Sequence, residues 1–351
     1  MKWRVPRILI AAAAAVVAAA SPAVAAVPRP ATPAAEPGAC QALHIPVALS
    51  AGAPSSQTVW ALYCTPLYHS RGRPPIDITV PGATYNHDYF AAPVKPWLYN
   101  FTDQALLTGQ AVLAYDRLGT GQSSHPVSTD LTITSDAYVL HQVIAWARDA
   151  AGYTTVNVIG HSVGSAVAAQ DAVTWPGDPT RLVLTGFLNN MSPATPAALA
   201  NDIYPADDDP AFAGDGLDPG YLTTVPGVRQ SLFYAAGADP AVIAWDEAHK
   251  DLASASEFAQ FVPIISAPPA TSITSRITVP VLVMVGELDA LTCGGAVDCT
   301  DPAAVRAYEA PYFSASPALT VTVIPGTGHD LALNPTAVLS FGIIRAWLGN
   351  S

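Results

Sequence analysis

Charged residues are scarce in this sequence, and positive charge is especially scarce. Only 12% of the 351 residues are charged, with 15 Lys plus Arg against 27 Asp plus Glu. Proteins that bind nucleic acid or anionic lipid need basic surfaces, because like charges repel each other within the Debye length. The composition therefore argues against both partners, and we predict no nucleic-acid ligand.

Long hydrophobic runs are absent beyond the N-terminal region, so no membrane span is predicted for the rest of the chain. At the N-terminus, three basic residues precede an apolar run from Ile8 to Ala20. Ala23-Val24-Ala25 then supplies the small residues after which a signal peptidase cuts. We interpret residues 1–25 as a secretory signal peptide, with an uncleaved anchor as the alternative. The expected product is secreted and acidic, with a net charge of about −15.

Cysteine is also rare, and its count of four is even. An even number fits disulfides formed in an oxidising compartment. Of the three possible pairings, proximity favours Cys40 with Cys64 and Cys293 with Cys299. A zinc site is the alternative, but these spacings lack paired C-x-x-C motifs and no histidine follows at ligand spacing. We predict disulfides and no metal.

Apolar β-branched runs alternate with helical patterns along most of the chain. This alternation predicts an α/β fold with a mainly parallel, doubly wound sheet. The predicted strands are Ile45–Leu49, Thr58–Cys64, Ile76–Val80, Ala111–Tyr115, Thr154–Ile159, Arg181–Thr185, Val279–Val285 and Leu319–Ile324. The predicted helices are Trp97–Leu107, Ser135–Ala151, Val163–Val173 and Ala337–Leu348.

One long segment interrupts this alternation. Residues 187–275 contain no clear strand pattern but carry Pro, Gly, acidic residues and scattered aromatics, as expected for a helical cap inserted before the next strand. The predicted organisation is therefore a Pro/Ala-rich lead-in over residues 26–39, a core formed by residues 40–186 and 276–351, and a cap over residues 187–275. The cap aromatics could line a substrate pocket or fill the cap's own small core.

Ser162 stands between two glycines in the stretch "NVIGHSVGSAVAA", where a strand pattern gives way to a helix pattern. A tight turn of this kind strains the central residue and exposes its hydroxyl, which suits a nucleophile. It also directs the Val163 N–H toward any negative charge that develops beside the serine. Chance occurrence of G-x-S-x-G is the alternative, so the pentapeptide needs partners elsewhere in the chain.

A nucleophilic serine requires a general base and an acid that orients the base. His329 follows the last predicted strand in "VIPGTGHD", and Asp289 follows the preceding strand in "VPVLVMVGELDALTC". We predict that Ser162, His329 and Asp289 form a catalytic triad. Rivals for the acid are Glu287, Asp298 and Asp301.

A second donor to an oxyanion should come from the loop after strand Ile76–Val80, which reads "VPGATYNHDYF". Gly82 permits close approach there, and the predicted donor is the backbone N–H of Ala83, with Thr84 as the alternative. A plain glycine turn would account for the same residues.

These motifs together resemble the α/β-hydrolase family, over nearly everything from the first strand to the last helix. The matching stretches are "GHSVG", "GELD", "GTGHD" and "YDRLGTGQSS", in the family's order of serine, acid and histidine. The sequence departs from the family at Pro81, where many members have histidine. The resemblance implies an esterase-like or lactonase-like serine hydrolase that needs no cofactor.

The expected substrate is an apolar ester or lactone, cleaved through an acyl-enzyme. Candidate substrate-binding residues are Tyr85, His161, Tyr234 and Trp245, although His161 is also expected to point away from Ser162 and pack against the sheet. Two other functions remain open: a secreted acyltransferase with the same triad, and a catalytically silent binding protein on this fold. Oligomeric state is not predictable from these residues.

Overall fold

The computed structural model describes residues 38–68 and 74–349. The predicted signal peptide therefore lies outside the described residues, as does the lead-in except Gly38 and Ala39. The strands are β1 (Gly38–Val47), β2 (Gln57–Pro66), β3 (Ile76–Val80), β4 (Ala111–Tyr115), β5 (Val156–His161), β6 (Arg181–Thr185), β7 (Ile203–Pro205), β8 (Tyr221–Thr224), β9 (Ala253–Ser254), β10 (Val281–Gly286) and β11 (Leu319–Ile324).

Helices alternate with these strands. They are α1 (Pro96–Tyr99), α2 (Phe101–Leu107), α3 (Ile133–Asp149), α4 (Val163–Thr174), α5 (Thr195–Asn201), α6 (Arg229–Phe233), α7 (Pro240–Ala248), α8 (Ala255–Ser266), α9 (Pro302–Glu309) and α10 (Ala337–Gly349). Short 3-10 turns cover His87–Tyr89, Ser128–Asp130, Ala206–Asp208, Ile273–Arg276 and Ala310–Phe313.

Eight strands form one sheet in the order β1-β2-β4-β3-β5-β6-β10-β11. β2 pairs antiparallel with β1 and β4, and every other pair in the sheet is parallel. The predicted mainly parallel α/β fold is confirmed. Strands β3, β4, β6, and β11 have the predicted bounds, because each is a short, bounded run of apolar or β-branched residues.

The central strands β3, β4, β5, β6 and β10 are buried on both faces, as is usual for parallel strands covered by helices. Along β10, Val281, Val283 and Val285 belong to one hydrophobic cluster, which also contains α3 and α4 side chains. Leu282 and Met284 belong to a second cluster, with α2 and α10 side chains. Successive strand residues point to opposite faces, so one strand serves both clusters.

The helix predicted at Trp97–Leu107 is interrupted at Asn100, which separates α1 from α2. The Asn100 side chain accepts a hydrogen bond from the Asp103 N–H at 2.9 Å and so caps α2. Helix α9 was not predicted. Its signals are present in the sequence, since Asp301 caps its start and Pro302 occupies its first position.

Residues 187–275 hold four helices, α5 to α8, and also a three-stranded antiparallel sheet in the order β7-β8-β9. The prediction that this segment has no strand was wrong. These strands contain three, four and two residues, which is too short for an alternating pattern to stand out in the sequence.

The structure contains two disulfides, Cys40–Cys64 and Cys293–Cys299, the pairing that proximity favours. Cys40 lies directly opposite Cys64 on the paired strands β1 and β2. All four cysteines are thereby used, so they do not form a zinc site. Over residues 38–68 and 74–349, no helix has the length and apolar character needed to cross a bilayer.

Asp77 is a fully buried carboxyl group in the centre of the sheet. It lies opposite Asn157 on β5, whose Nδ2 donates to Asp77 Oδ1 at 2.8 Å, while Asp77 Oδ2 and Asn157 Oδ1 have no hydrogen-bond partner among the described residues. Burial raises the pKa of Asp77 to about 7, only partly opposed by the Asn157 amide. The folded protein therefore keeps a proton that the unfolded chain releases near pH 4.

We predict that Asp77→Asn raises the stability of the protein, relative to the wild type, more at pH 8 than at pH 5. Between the unfolded pKa near 4 and the folded pKa near 7, rising pH lowers the free energy of unfolding of the wild type, by about 1.4 kcal/mol per pH unit. Asparagine removes this dependence and can pair with both polar atoms of Asn157. Melting temperatures measured at both pH values test this, with exposed Asp207→Asn as the control. Equal shifts of Asp77→Asn at pH 5 and pH 8 would contradict it.

Candidate active site

Ser162 occupies a strained turn between β5 and α4. Its φ of +52° and ψ of −119° are values that residues with side chains rarely adopt. A Cβ on Gly160 would lie 2.6 Å from the Ser165 Cα, and one on Gly164 would lie 2.2 Å from the Val80 carbonyl oxygen. Only glycine fits at either position, which explains the spacing of the motif.

His329 lies in the loop that follows β11, and its Nδ1 is 2.8 Å from Asp289 Oδ2. Both side chains are buried. Gly328 permits the loop's path, because a Cβ there would lie 2.5 Å from the Phe233 carbonyl oxygen of the cap. The structure therefore brings together two residues that are 40 positions apart in the chain.

Asp289 is prepared to act as an ionised partner of His329. Its Oδ1 accepts hydrogen bonds from the N–H groups of Leu291 at 2.9 Å and Thr292 at 3.1 Å. Burial by itself would raise the pKa of Asp289, but the nearby His329 and these donors hold it below its ordinary value. Conversely, burial would lower the pKa of His329, but the Asp289 carboxylate raises it above its ordinary value.

The three rival acids have other contacts. Glu287 accepts from the Gly326 N–H at 2.7 Å, Asp298 binds Thr300, and Asp301 caps α9. None of their hydrogen bonds in the described part of the chain reaches His329. The geometry therefore favours Asp289.

One cavity lies beside the turn at Ser162, and its volume is about 790 Å³ when the open mouth is included. Its wall contains Ser162, Val163, Ala83 and His329. The N–H of Thr84 donates to the Leu252 carbonyl oxygen at 3.1 Å, which removes the alternative oxyanion donor and favours Ala83. The cavity wall is largely apolar and comes from both core and cap. Its apolar members include Leu188, Met191, Ala198, Leu199, Ile203, Leu232, Phe233, Phe258, Phe261, Ile265 and Leu291.

Two of the four candidate substrate-binding residues, Tyr85 and His161, line this cavity, whereas Tyr234 and Trp245 do not. The His161 ring stacks on Tyr89 at 4.2 Å and bonds to Asp330 and Thr185, so its polar atoms are engaged within the protein. The Tyr234 hydroxyl donates to Asp246 at 2.8 Å, and the Trp245 ring stacks on His249.

Sequence reasoning missed a buried polar network beside His329. Asp330 accepts from the Tyr85 hydroxyl and lies 3.1 Å from His161 Nε2. Tyr85 also contacts Asp246 of α7, which forms a two-pronged ion pair with Arg229 of α6 at 2.9 and 2.7 Å. The network therefore joins the cap to the loop that carries His329. In the sequence, Asp330 could have been found from its position next to His329, but no sequence feature pointed to Arg229 or Asp246.

Burial sets the protonation of this network. It raises the pKa of Asp330 to about 6, although His329 and Arg229 oppose the rise. It also lowers the pKa of His161 well below its ordinary value, so that this ring is neutral. His161, His329 and Asp330 could together surround a metal ion, but the His329 Nδ1 and the Asp330 oxygens already have protein partners.

Arg117 supports the loop that carries Ala83. This buried guanidinium donates to the carbonyl oxygens of Pro81 at 3.1 Å and Gly82 at 3.2 Å. It also pairs with Asp136 of α3 and Glu257 of the cap helix α8. Arg117 therefore has a structural role, and it fastens the loop at the residue where the sequence departs from the family pattern.

Comparison with known proteins agrees with this architecture. A sequence model described as the alpha/beta hydrolase family matches residues 78–341. The esterase EaEST from Exiguobacterium antarcticum superposes with a TM-score of 0.60 at 15% identity, over 88% of this chain and 99% of the esterase. The enol-lactonase from Burkholderia xenovorans LB400 superposes with a TM-score of 0.55 at 16% identity, over 84% of this chain and 97% of the lactonase.

Among curated proteins, "Putative carbamate hydrolase RutD" of Escherichia coli is 36% identical over 78 residues, which is 22% of this chain. The match spans only 28% of the length of that relative.

We predict that kcat/KM for ester hydrolysis rises with pH to a plateau, with a midpoint above 6.5. His329 must be neutral to act as a base, and Asp289 raises its pKa. Asp289→Asn should lower kcat by about 10³-fold or more and move the midpoint to lower pH, because the charge that stabilises protonated His329 is lost.

The pH profiles of wild type, Asp289→Asn and Asp298→Asn test this pair. Asp298 is exposed and bonds to Thr300, so its variant should keep the wild-type profile. An unchanged midpoint in Asp289→Asn would argue against Asp289 as the partner of the titrating base.

Proposed function

The chain belongs to the alpha/beta hydrolase family, and on that premise we propose that it is a secreted serine hydrolase acting on a carboxylic ester or lactone of an apolar small molecule. The observation that carries the proposal is one apolar cavity whose wall contains both Ser162 and His329, with His329 bonded to buried Asp289.

In the proposed reaction, His329 removes the proton from Ser162 as the hydroxyl oxygen attacks the substrate carbonyl carbon. The N–H groups of Val163 and Ala83 donate to the oxyanion that forms. Asp289 holds the imidazole tautomer and stabilises its protonated form. His329 then passes the proton to the leaving alcohol, and an acyl-enzyme remains. Water, deprotonated by His329, hydrolyses this intermediate and restores Ser162.

The apolar substrate is inferred from the wall around Ser162. Met191, Leu199 and Phe261 from the cap, together with Leu291 from the core, offer dispersion contacts but few hydrogen bonds. An uncharged acyl or alcohol group is therefore favoured over a charged one, because a charge would lose its hydration without gaining a partner.

Secretion is supported by the N-terminal pattern of basic residues, apolar run and Ala23-Val24-Ala25. The two disulfides are consistent with it, since such bonds persist in oxidising compartments.

We predict that Ser162→Ala lowers the turnover of its preferred p-nitrophenyl ester by about 10³-fold or more, since no acyl-enzyme can form. The panel should run from acetate to palmitate and include aliphatic and aromatic lactones. A p-nitrophenyl carbamate belongs in it as well, because a short segment resembles proteins named as carbamate hydrolases. Exposed Ser231→Ala is the matched control. If the folded wild type hydrolyses none of these compounds, the proposal is wrong.

We predict that Phe261→Ala shifts the preferred acyl chain to longer esters, because it removes a large ring from the cavity wall. The ratio of kcat/KM for a long ester to that for a short ester should rise roughly 10-fold, because additional methylene groups of the long acyl chain would contact the cavity wall. Phe212→Ala is the control, since Phe212 is a cap aromatic that does not line the cavity. If Phe261→Ala and Phe212→Ala give the same ratio of kcat/KM for long and short esters, the acyl group does not contact Phe261.

A further inference from the structure

A second group of potential ligands lies away from the cavity, between α3, α4 and the segment that leads into β6. It consists of His141 on α3, Asp171 in the last turn of α4, and Asp178. His141 Nδ1 is 2.5 Å from Asp178 Oδ2, and one ligand atom from each residue lies within 4.8 Å of the other two. The proposed reaction uses none of these residues.

Asp171 is the unusual member of this group. Its side chain is fully buried, and no donor within the described residues reaches either carboxylate oxygen, although the Asp178 carboxyl group lies within hydrogen-bonding range. A buried carboxylate without partners is costly, because it has lost its hydration and gained nothing in return. A cation held between the carboxylates would remove this cost.

The surrounding charges favour such a cation. Arg148 contributes one positive charge nearby, but its Nη2 donates to the carbonyl oxygens of Gly177 at 2.8 Å and Asp178 at 2.7 Å. Burial and the negative charge of Asp178 raise the pKa of Asp171 well above its ordinary value, so a divalent cation would bind here in place of a proton. The C-terminal end of α4 adds the negative end of its helix dipole at the same place.

We propose that His141, Asp171 and Asp178 bind a divalent transition-metal ion, with zinc as the favoured ion. One imidazole and two carboxylates are donors that zinc accepts, and water would complete a four-coordinate site. Tetrahedral zinc needs roughly 3.3 Å between ligand atoms, so the ion would replace the direct 2.5 Å contact between His141 Nδ1 and Asp178 Oδ2 and draw Asp171 toward both.

The ion would join two helices and the entry to β6. Asp171 lies on α4, nine residues after Ser162 and about 13 Å away along the helix axis, so the ion would brace the helix that follows Ser162 without touching the cavity. The inference stands independently of the proposed hydrolysis.

Trp175 provides a local reporter for metal binding. Its ring stacks on the His141 ring, with a centroid distance of 4.4 Å and an interplanar angle of 11°. Binding at His141 should therefore change the fluorescence of this tryptophan.

The test titrates zinc chloride into chelator-treated mature protein, residues 26–351, followed by calorimetry and tryptophan fluorescence. The wild type should bind zinc at this site, and Asp171→Asn should weaken this binding by about 100-fold or more. His141→Phe should do the same while keeping a ring against Trp175. Asp149→Asn, an exposed change of the same type on α3, should bind like the wild type.

A parallel titration of His329→Ala separates this site from the His161, His329 and Asp330 group, and zinc binding should survive in that variant. Circular dichroism of every variant checks folding, and His141→Phe carries the test if Asp171→Asn fails to fold. Wild-type affinity in both Asp171→Asn and His141→Phe would overturn the proposal. Absence of zinc binding to the wild type would also overturn it, and a proton shared between Asp171 and Asp178 would then explain why these two carboxyl groups lie together.

Discussion

The backbone conformation at Ser162 is the constraint on which the candidate site depends. Its positive φ persists because neighbouring groups leave no other path: the Ser162 N–H donates to the Thr185 carbonyl oxygen at 2.8 Å, and Gly160 and Gly164 make close backbone contacts. The strain is therefore balanced by packing of the central strands against α4. The rest of the fold places His329 and the Ala83 loop around this turn.

Buried ion pairs and hydrogen bonds connect the cap to the core at two places. Arg117 links the loop at Pro81 to α3 and to Glu257 in the cap, while the network around Arg229 and Asp246 reaches Asp330 beside His329. Breaking one partner of such a pair leaves an uncompensated buried charge. Both links therefore oppose independent movement of the cap, and they couple its position to the two loops that face Ser162.

Prediction from sequence succeeded where the signal is local. The bounds of β3, β4, β6 and β11 are contained in short apolar runs, and the glycines around Ser162 mark a turn that excludes a Cβ. It failed where the decisive contacts are distant. The strands β7 to β9 are held by pairing between separate segments and are too short to show an alternating pattern in the sequence. Tyr234 and Trp245 were chosen as cap aromatics, but they contact Asp246 and His249 and do not line the cavity.

The sequence by itself determined the alternation of strands and helices, the turn at Ser162 and the residue types available for acyl chemistry. These features follow from side-chain volume, backbone freedom and periodicity, which act over a few residues. Only the tertiary structure decided that Asp289 rather than Glu287 contacts His329, that the Thr84 N–H is occupied, and that Asp171 is buried beside His141. Such choices depend on distances between segments that are far apart in the chain, and those distances exist only after the sheet and its helices have packed.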